Sequence, residues 1–157
     1  MSLPSQTLTI LPEWIDHNGH MNVAYYVVAF DIVTDAIYEN WGIGLDYPTR
    51  FNASVFTLGM NVDYLSELFV NDSIQISTQM LDVDHKRIHY FHQMYNTKTG
   101  QIAATNECLC MNVDLETRHS MAFPEQVQKR LDAVLENHRQ FPKPDKAGRQ
   151  LAIRRKG

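Results

Sequence analysis

The sequence predicts an α+β domain in which a curved antiparallel sheet wraps a long central helix. Three observations carry that prediction. Residues 22–40, NVAYYVVAFDIVTDAIYEN, have helical length, contain no proline or glycine, and are apolar on two sides. Four strand-like runs follow at 55–64, 73–83, 87–96 and 102–113, separated by turn-forming sequences such as Asn71-Asp72, DVDHK and NTKTGQ, which read as antiparallel hairpins. A last segment, FPEQVQKRLDAVLEN, starts with proline and carries Val127, Leu131, Val134 and Leu135 at helical spacing, as a surface helix does. At 157 residues, 44% hydrophobic and 20% charged, the chain suits one core and is short for two.

In chain order, QTLTIL reads as a short strand. After Pro12 comes a polar knot, DHNGHMN, from Asp16 to Asn22. In the helix behind it, Ala24, Val28 and Ile32 lie on one side and Tyr26, Phe30, Val33 and Ile37 on another. A helix apolar on most sides is expected to be buried on most sides. The helix should stop at WGIG, and GIGLDYPTRFNAS should be a loop. In the second strand run, Ile74, Ile76, Thr78, Met80 and Asp82 share one face by strict alternation.

The formal charge of −4 argues against nucleic acid as a main partner. From Phe141 onward six basic residues face one acid, so residues 141–157 carry +5 and the remainder −9. With Pro142, Pro144 and Gly148 alongside, this tail reads as a solvated, poorly ordered extension of a domain spanning 1–140. The competing reading is a reach toward a phosphate or an acidic neighbouring subunit. No run approaches eighteen apolar residues, and the first residues lack a secretory signal pattern, so no membrane span and a cytoplasmic setting are expected. Cys108 and Cys110 sit two apart, which suits buried thiols better than a disulfide or a metal site.

Asp16 to Tyr26, DHNGHMNVAYY, resembles the Asp-x-x-Gly-His-x-Asn-x-x-x-Tyr signature of the 4-hydroxybenzoyl-CoA thioesterase family, and the similarity runs over residues 6–136. The resemblance implies the hotdog fold, no cofactor, no metal, and a homodimer or dimer of dimers. It also implies that Asp16 is the catalytic acid and that the Val23 backbone N–H polarises the thioester carbonyl, with Asn22 and His20 beside them. Many relatives carry a second Asn where this chain has Val23, a change that leaves a main-chain donor in place. The residues by themselves leave other readings open. Asp16 also suits an Asx-turn, Asn22 a helix cap, Gly19 a constrained backbone, and the trio Asp16, His17 and His20 a metal.

Coenzyme A brings phosphates, and the resemblance places basic residues for them at the hairpin bearing Lys86 and Arg87, which also reads as an ordinary charged turn. At the acyl end, Asp31 and Asp35 lie one helical turn apart, and residues 1–49 contain no Lys or Arg. Aromatic residues crowd the same region, Tyr26 and Trp41 among them, and aromatic faces attract quaternary ammonium groups. The stretch WIDHNGHMNVAYYVVAFD further resembles thioesterase-type domains associated with carnitine dehydrogenases, which implies a betainyl or other trimethylammonium acyl-CoA substrate. A hydratase or dehydratase on the same fold, and a non-catalytic acyl-CoA-binding protein, are the alternatives.

Overall fold

The structure is a computed structural model that describes residues 2–155. Its elements run β1 (Ser5–Thr9), a 3-10 turn (Pro12–Trp14), α1 (Val23–Trp41), α2 (Tyr47–Phe51), β2 (Ala53–Tyr64), β3 (Ser73–Val83), β4 (Arg87–Asn96), β5 (Ile102–Asp114) and α3 (Glu125–His138). The five strands form one antiparallel sheet in the order β1-β3-β4-β5-β2, curled about α1 in the hotdog arrangement. The turn at Asn71-Asp72 is therefore not the hairpin the sequence suggests: β2 lies at the far edge against β5, and the chain crosses over to place β3 between β1 and β4.

Helix α1 is bounded by two local devices. The Asn22 side chain accepts the Ala24 N–H at 3.0 Å, satisfying one of the helix's free donors. At the other end Gly42, at φ +80, turns its N–H back to the carbonyls of Glu39 and Tyr38, a conformation that a Cβ disfavours. Between the caps, Tyr26, Ala29, Phe30, Val33, Ile37 and Trp41 are buried.

The opposite stripe departs from the sequence expectation. Ala24, Val28 and Ile32 are exposed, the last two at 40% and 42%. The sheet covers one side of α1 and leaves this stripe open. A second departure lies in β3, where a bulge between Met80 and Asp82 breaks the alternation. Ile74, Ile76, Thr78 and Met80 stay inside, and Asp82 turns out.

The core holds one ordered polar string. His92 is fully buried, stacked on Phe30, and lies 3.0 Å from Thr34 Oγ1 and 2.8 Å from Thr78 Oγ1. Burial lowers its pKa to about 3, so the ring is neutral. Helix α2, expected as loop, is fastened by Tyr47, whose hydroxyl donates to Asn112 Oδ1 at 2.9 Å. Cys108 and Cys110 are buried free thiols, and burial raises Cys108 to about 12.

The tail also differs from a solvated extension. Lys146 to Arg149 crosses β2 and β5 as a strap. The Gly148 N–H donates to both Glu107 carboxylate oxygens at 2.9 and 2.8 Å, and Asn61 Nδ2 donates to the Arg149 carbonyl at 2.9 Å. Arg149 pairs with Asp63, and Lys146 reaches the same carboxylate at 3.6 Å. The acids that hold the basic tail belong to its own body. No helix among the described residues is long and apolar enough to cross a membrane.

Candidate active site

The polar knot folds as a tight reversal in front of α1. Ile15 and Met21 bridge antiparallel, the Asp16 N–H donates to the His20 carbonyl, and the Gly19 N–H donates back to the Asp16 carbonyl at 3.0 Å. Gly19 sits at φ +82, which closes this turn. Asp16 Oδ1 accepts the Asn18 N–H at 2.8 Å, the Asx-turn that its position in the sequence allows, while Oδ2 accepts from Asn22 Nδ2 at 3.0 Å. Those two hydrogen bonds, the backbone one first, hold the Asp16 carboxyl below its ordinary pKa. It is a solvent-accessible, ionised carboxylate at neutral pH.

Asn22 therefore performs two tasks with one amide. Its Oδ1 caps the helix and its Nδ2 aims the Asp16 carboxylate. The next residue, Val23, presents the first N–H of α1, for which no acceptor lies within hydrogen-bonding reach among the described residues. The Asp16 carboxylate, bonded to Asn22, and the N–H of Val23, next to Asn22 in the chain, therefore flank one helix N-terminus, although Asp16 does not line the cavity beside Val23. A carboxylate and such an N–H are what thioester hydrolysis needs for attack and for holding developing oxyanion charge.

A cavity of about 250 Å³ adjoins Val23, lined by His20, Tyr26, Tyr64 and Glu67 among others. His20 Nδ1 lies 3.2 Å from the Met21 carbonyl and Nε2 lies 3.8 Å from Glu67. Tyr26 is buried, donates its hydroxyl to the Ser66 carbonyl at 3.1 Å, and meets Tyr64 edge to face. Tyr64 in turn donates to the Val23 carbonyl at 3.1 Å. Tyr64 and Glu67 are not legible as site residues in the sequence, because only the pairing of β2 with β5 brings position 64 back to the helix start.

Asp31 and Asp35 are exposed and line a different cavity, about 280 Å³ in volume, with Thr34, Tyr38, Met60 and Tyr90. No Lys or Arg lines it. Trp41 stands behind this wall, buried and edge-on to Tyr90 at 5.6 Å, so it supports Tyr90 and does not reach the cavity. At 1.5 Å per residue along α1, Asp31 lies about 12 Å and Asp35 about 18 Å beyond Val23. The structure therefore does not bring these acids to the Asp16 centre of the same chain.

The basic pair sits at the β3–β4 hairpin, as its turn chemistry indicates. Lys86 Nζ is 3.2 Å from Ser120 Oγ, and Arg87 is held by Asp84 through Nε at 2.8 Å and Nη2 at 2.6 Å. Burial would raise the Asp84 carboxyl, but hydrogen bonds from Arg87 and from the Lys86 and Arg87 N–H groups bring it to about 2. Among the described residues no three His, Cys, Asp or Glu side chains gather as a metal ligand set.

The hotdog sheet and the family it matches place the chain in the thioesterase class. The Thioesterase-like superfamily matches residues 10–131, and the chain belongs to that family of thioester hydrolases. It is 36% identical over 156 residues to the betainyl-CoA thioesterase of Pseudomonas aeruginosa, covering 95% of this chain and 97% of that protein. It is 33% identical over 142 residues to the L-carnitine dehydrogenase/betainyl-CoA thioesterase of a Rhizobium species, covering 90% of this chain but 28% of that longer protein. Among solved structures, a Staphylococcus aureus protein in complex with CoA superposes with a TM-score of 0.90 at 32% identity, covering 98% of this chain and 96% of that one. The DHNA-CoA thioesterase of Staphylococcus aureus shares the fold at a TM-score of 0.74 and 15% identity, covering 85% and 93% of the two chains.

Proposed function

We propose that this protein hydrolyses short acyl-CoA thioesters whose acyl group carries a quaternary ammonium, with betainyl-CoA as the leading candidate. The observation that carries the reading is the cavity of Asp31, Asp35, Tyr38 and Tyr90, acidic and aromatic with no basic side chain. Acids without a base attract a cation, and aromatic faces add to that attraction. The names of the relatives in Pseudomonas aeruginosa and Rhizobium point to the same acyl group.

The chemistry follows from the knot. The thioester carbonyl oxygen accepts the Val23 N–H, and the Asp16 carboxylate either takes a proton from the attacking water or attacks the carbonyl itself to give an anhydride that water then opens. In both routes the C–S bond breaks, and CoA leaves as a thiolate that takes up the proton water supplies. Asn22 keeps that carboxylate aimed, and His20 faces the same pocket. Lys86 and Arg87 contact the phosphates of CoA at the mouth. No cofactor or metal takes part in this scheme.

Geometry adds a requirement. In a betainyl group the nitrogen lies about 2.5 Å from the carbonyl carbon, the span of an N–Cα–C unit. That group cannot touch both Val23 and, about 12–18 Å away along the helix, Asp31 and Asp35 of the same chain. The acidic cavity completes the site only if a second copy supplies it. The exposed Val28 and Ile32 stripe and the apolar β2 edge support a homodimer, itself able to pair further into a dimer of dimers. The protein acts in the cytoplasm in this reading, where its CoA ester is made.

One observation favours a second placement of the cation. The cavity beside Val23 contains Tyr26, Tyr64 and Glu67, again with no Lys or Arg. Thiol release from a panel of acyl-CoAs, read with a thiol-reactive dye, tests the function. A trimethylammonium acyl-CoA should be hydrolysed with at least about 10-fold higher kcat/KM than its tert-butyl isostere, since two partly desolvated cation–π contacts supply the roughly 1.4 kcal/mol required. Asp35→Asn should erase that preference and Glu67→Gln should not; the reverse outcome selects the second placement. Binding without thiol release would make the protein an acyl-CoA carrier, and consumption of the ester without thiol would make it a hydratase.

A further inference from the structure

We infer that Glu39 is a positioning residue for substrate size: its carboxylate pins the loop after α1 as one wall of the acidic cavity, and so limits how large an ammonium head group that cavity admits. The inference rests on the reading above that this cavity takes the acyl group.

The loop begins where α1 ends. Gly42 turns the chain back, the Ile43 N–H donates to the Tyr38 carbonyl at 3.0 Å, and the Tyr47 N–H donates to the Gly44 carbonyl at 3.0 Å. Between those two fastenings stands Leu45, whose side chain is 86% exposed, so burial does not hold it. What holds it is a carboxylate: the Leu45 N–H donates to Glu39 Oε1 at 2.6 Å, a hydrogen bond of the charge-assisted kind.

Gly44 provides the seat for that carboxylate. The Glu39 carboxyl carbon and both its oxygens occupy the space that a Cβ on Gly44 would fill. Gly44 is not among the residues at positive φ, so glycine is needed here for room and not for backbone conformation. A methyl group at this position would meet the far end of a flexible side chain, which can swing away at little cost to the fold. It would thereby strip the Leu45 N–H of its acceptor.

The seat borders the cavity. Asp31, Asp35 and Glu39 follow one another at steps of four along α1, yet only the first two line it. Glu39 is turned to the loop, and Ile43, Gly44 and Leu45 line the cavity beyond Asp35. Asp35 and Glu39 are about 6 Å apart along the helix axis, so a cation held at Asp35 has the loop within one helical turn. The facing wall, Ser54, Val55 and Thr57, belongs to β2 and is fixed by pairing with β5. Of the two walls, the loop is the one whose place a single side chain sets.

The test uses two acyl-CoAs of equal chain length that differ only in the head group, trimethylammonium against triethylammonium. Thiol release by the wild type should favour the smaller by at least about 10-fold in kcat/KM, the scale on which a fitted pocket rejects added methylenes. Glu39→Ala and Gly44→Ala should each cut that preference several-fold. Glu39→Gln, which keeps an oxygen for the Leu45 N–H, should retain it. Amide hydrogen exchange at Leu45, a readout independent of turnover, should quicken in the two Ala variants and not in Glu39→Gln. The inference is overturned if the wild type shows no size preference, if that preference is the same in all variants, or if Glu39→Gln behaves as Glu39→Ala does. Asp35→Asn, assayed alongside with the trimethylammonium ester and its tert-butyl isostere, separates the two readings. If it erases the ammonium preference while the size preference ignores Glu39, the wall falls and the cavity reading stands; if Asp35→Asn and Glu39→Ala are both without effect, both fall.

Discussion

Replacing Asp16 by Asn removes one charge and almost nothing else, and the structure specifies what else. The amide introduced at this position would still accept the Asn18 N–H through its oxygen, so the Asx-turn survives. Its new NH₂, however, would meet the NH₂ of Asn22 at the present 3.0 Å, donor against donor. Asn22 can relieve this only by turning its amide, which withdraws the oxygen that caps Ala24. Loss of a helix N-cap costs about 1 kcal/mol, or some 2–4 °C in Tm for a chain of this size. Reciprocal exchange, Asp16→Asn with Asn22→Asp, restores both contacts: the new amide donates to the new carboxylate, which also caps the helix.

Thiol release should fall at least about 100-fold in Asp16→Asn, the range for a positioned acid–base group, and should stay equally low in the exchanged variant while its Tm returns to the wild-type value. Rates are read with a saturating acyl-CoA and Tm by calorimetry. Recovery of activity together with Tm would show that Asp16 only shapes the turn, and the mechanism built on its carboxylate would fall.

Replacing Lys86 and Arg87 together by Ala should raise KM for acyl-CoA several-fold while kcat stays within about twofold, because phosphate contacts are the same in ground and transition states; a selective fall in kcat would place the pair nearer the chemistry. Stability should decline below about pH 6.5. His92 has a folded pKa of about 3 against an unfolded 6.5, so its contribution is full above 6.5 and is lost as pH falls toward 3, at about 1.4 kcal/mol per pH unit. Urea denaturation at pH 7, 6 and 5 should show this slope in the wild type and a shallower one in His92→Gln; equal slopes would mean that His92 is not buried neutral.

Helix α1, the β3–β4 and β4–β5 hairpins and the carboxylate before the helix are legible in the sequence because each is written in neighbouring residues: the apolar run from Ala24, the turns at DVDHK and NTKTGQ, the cap at Asn22. The turn at Asn71-Asp72 reads as a third hairpin and is not one, because β2 pairs with β5, far along the chain, and no local turn encodes that crossover. Helix α2 is not, because a five-residue helix has no periodicity to read, although Pro48 in its first turn is a usable sign. The stripe of Val28 and Ile32 reads as buried and is exposed, since periodicity reports that a face is apolar and not what covers it. Trp41 and Asp35 look like neighbours in sequence, yet the helix turns the indole into the core and the acid toward a cavity. The strap at Gly148 and the placement of Tyr64 by Val23 depend on contacts across 41 residues, which composition alone does not encode.

The central claim is that the Asp16 and Val23 centre of one chain is completed by the acidic cavity of its partner. Co-expressing an Asp16→Asn chain and an Asp35→Asn chain under separate tags, then purifying the mixed dimer through both, tests it directly. If the site is shared, one of the two sites in each mixed dimer has both acids intact, and turnover of the trimethylammonium acyl-CoA should reach about half the wild-type rate. If each chain holds its own site, every site lacks one acid, and the mixed dimer would do no better than the mean of the two mutant homodimers, contradicting the account.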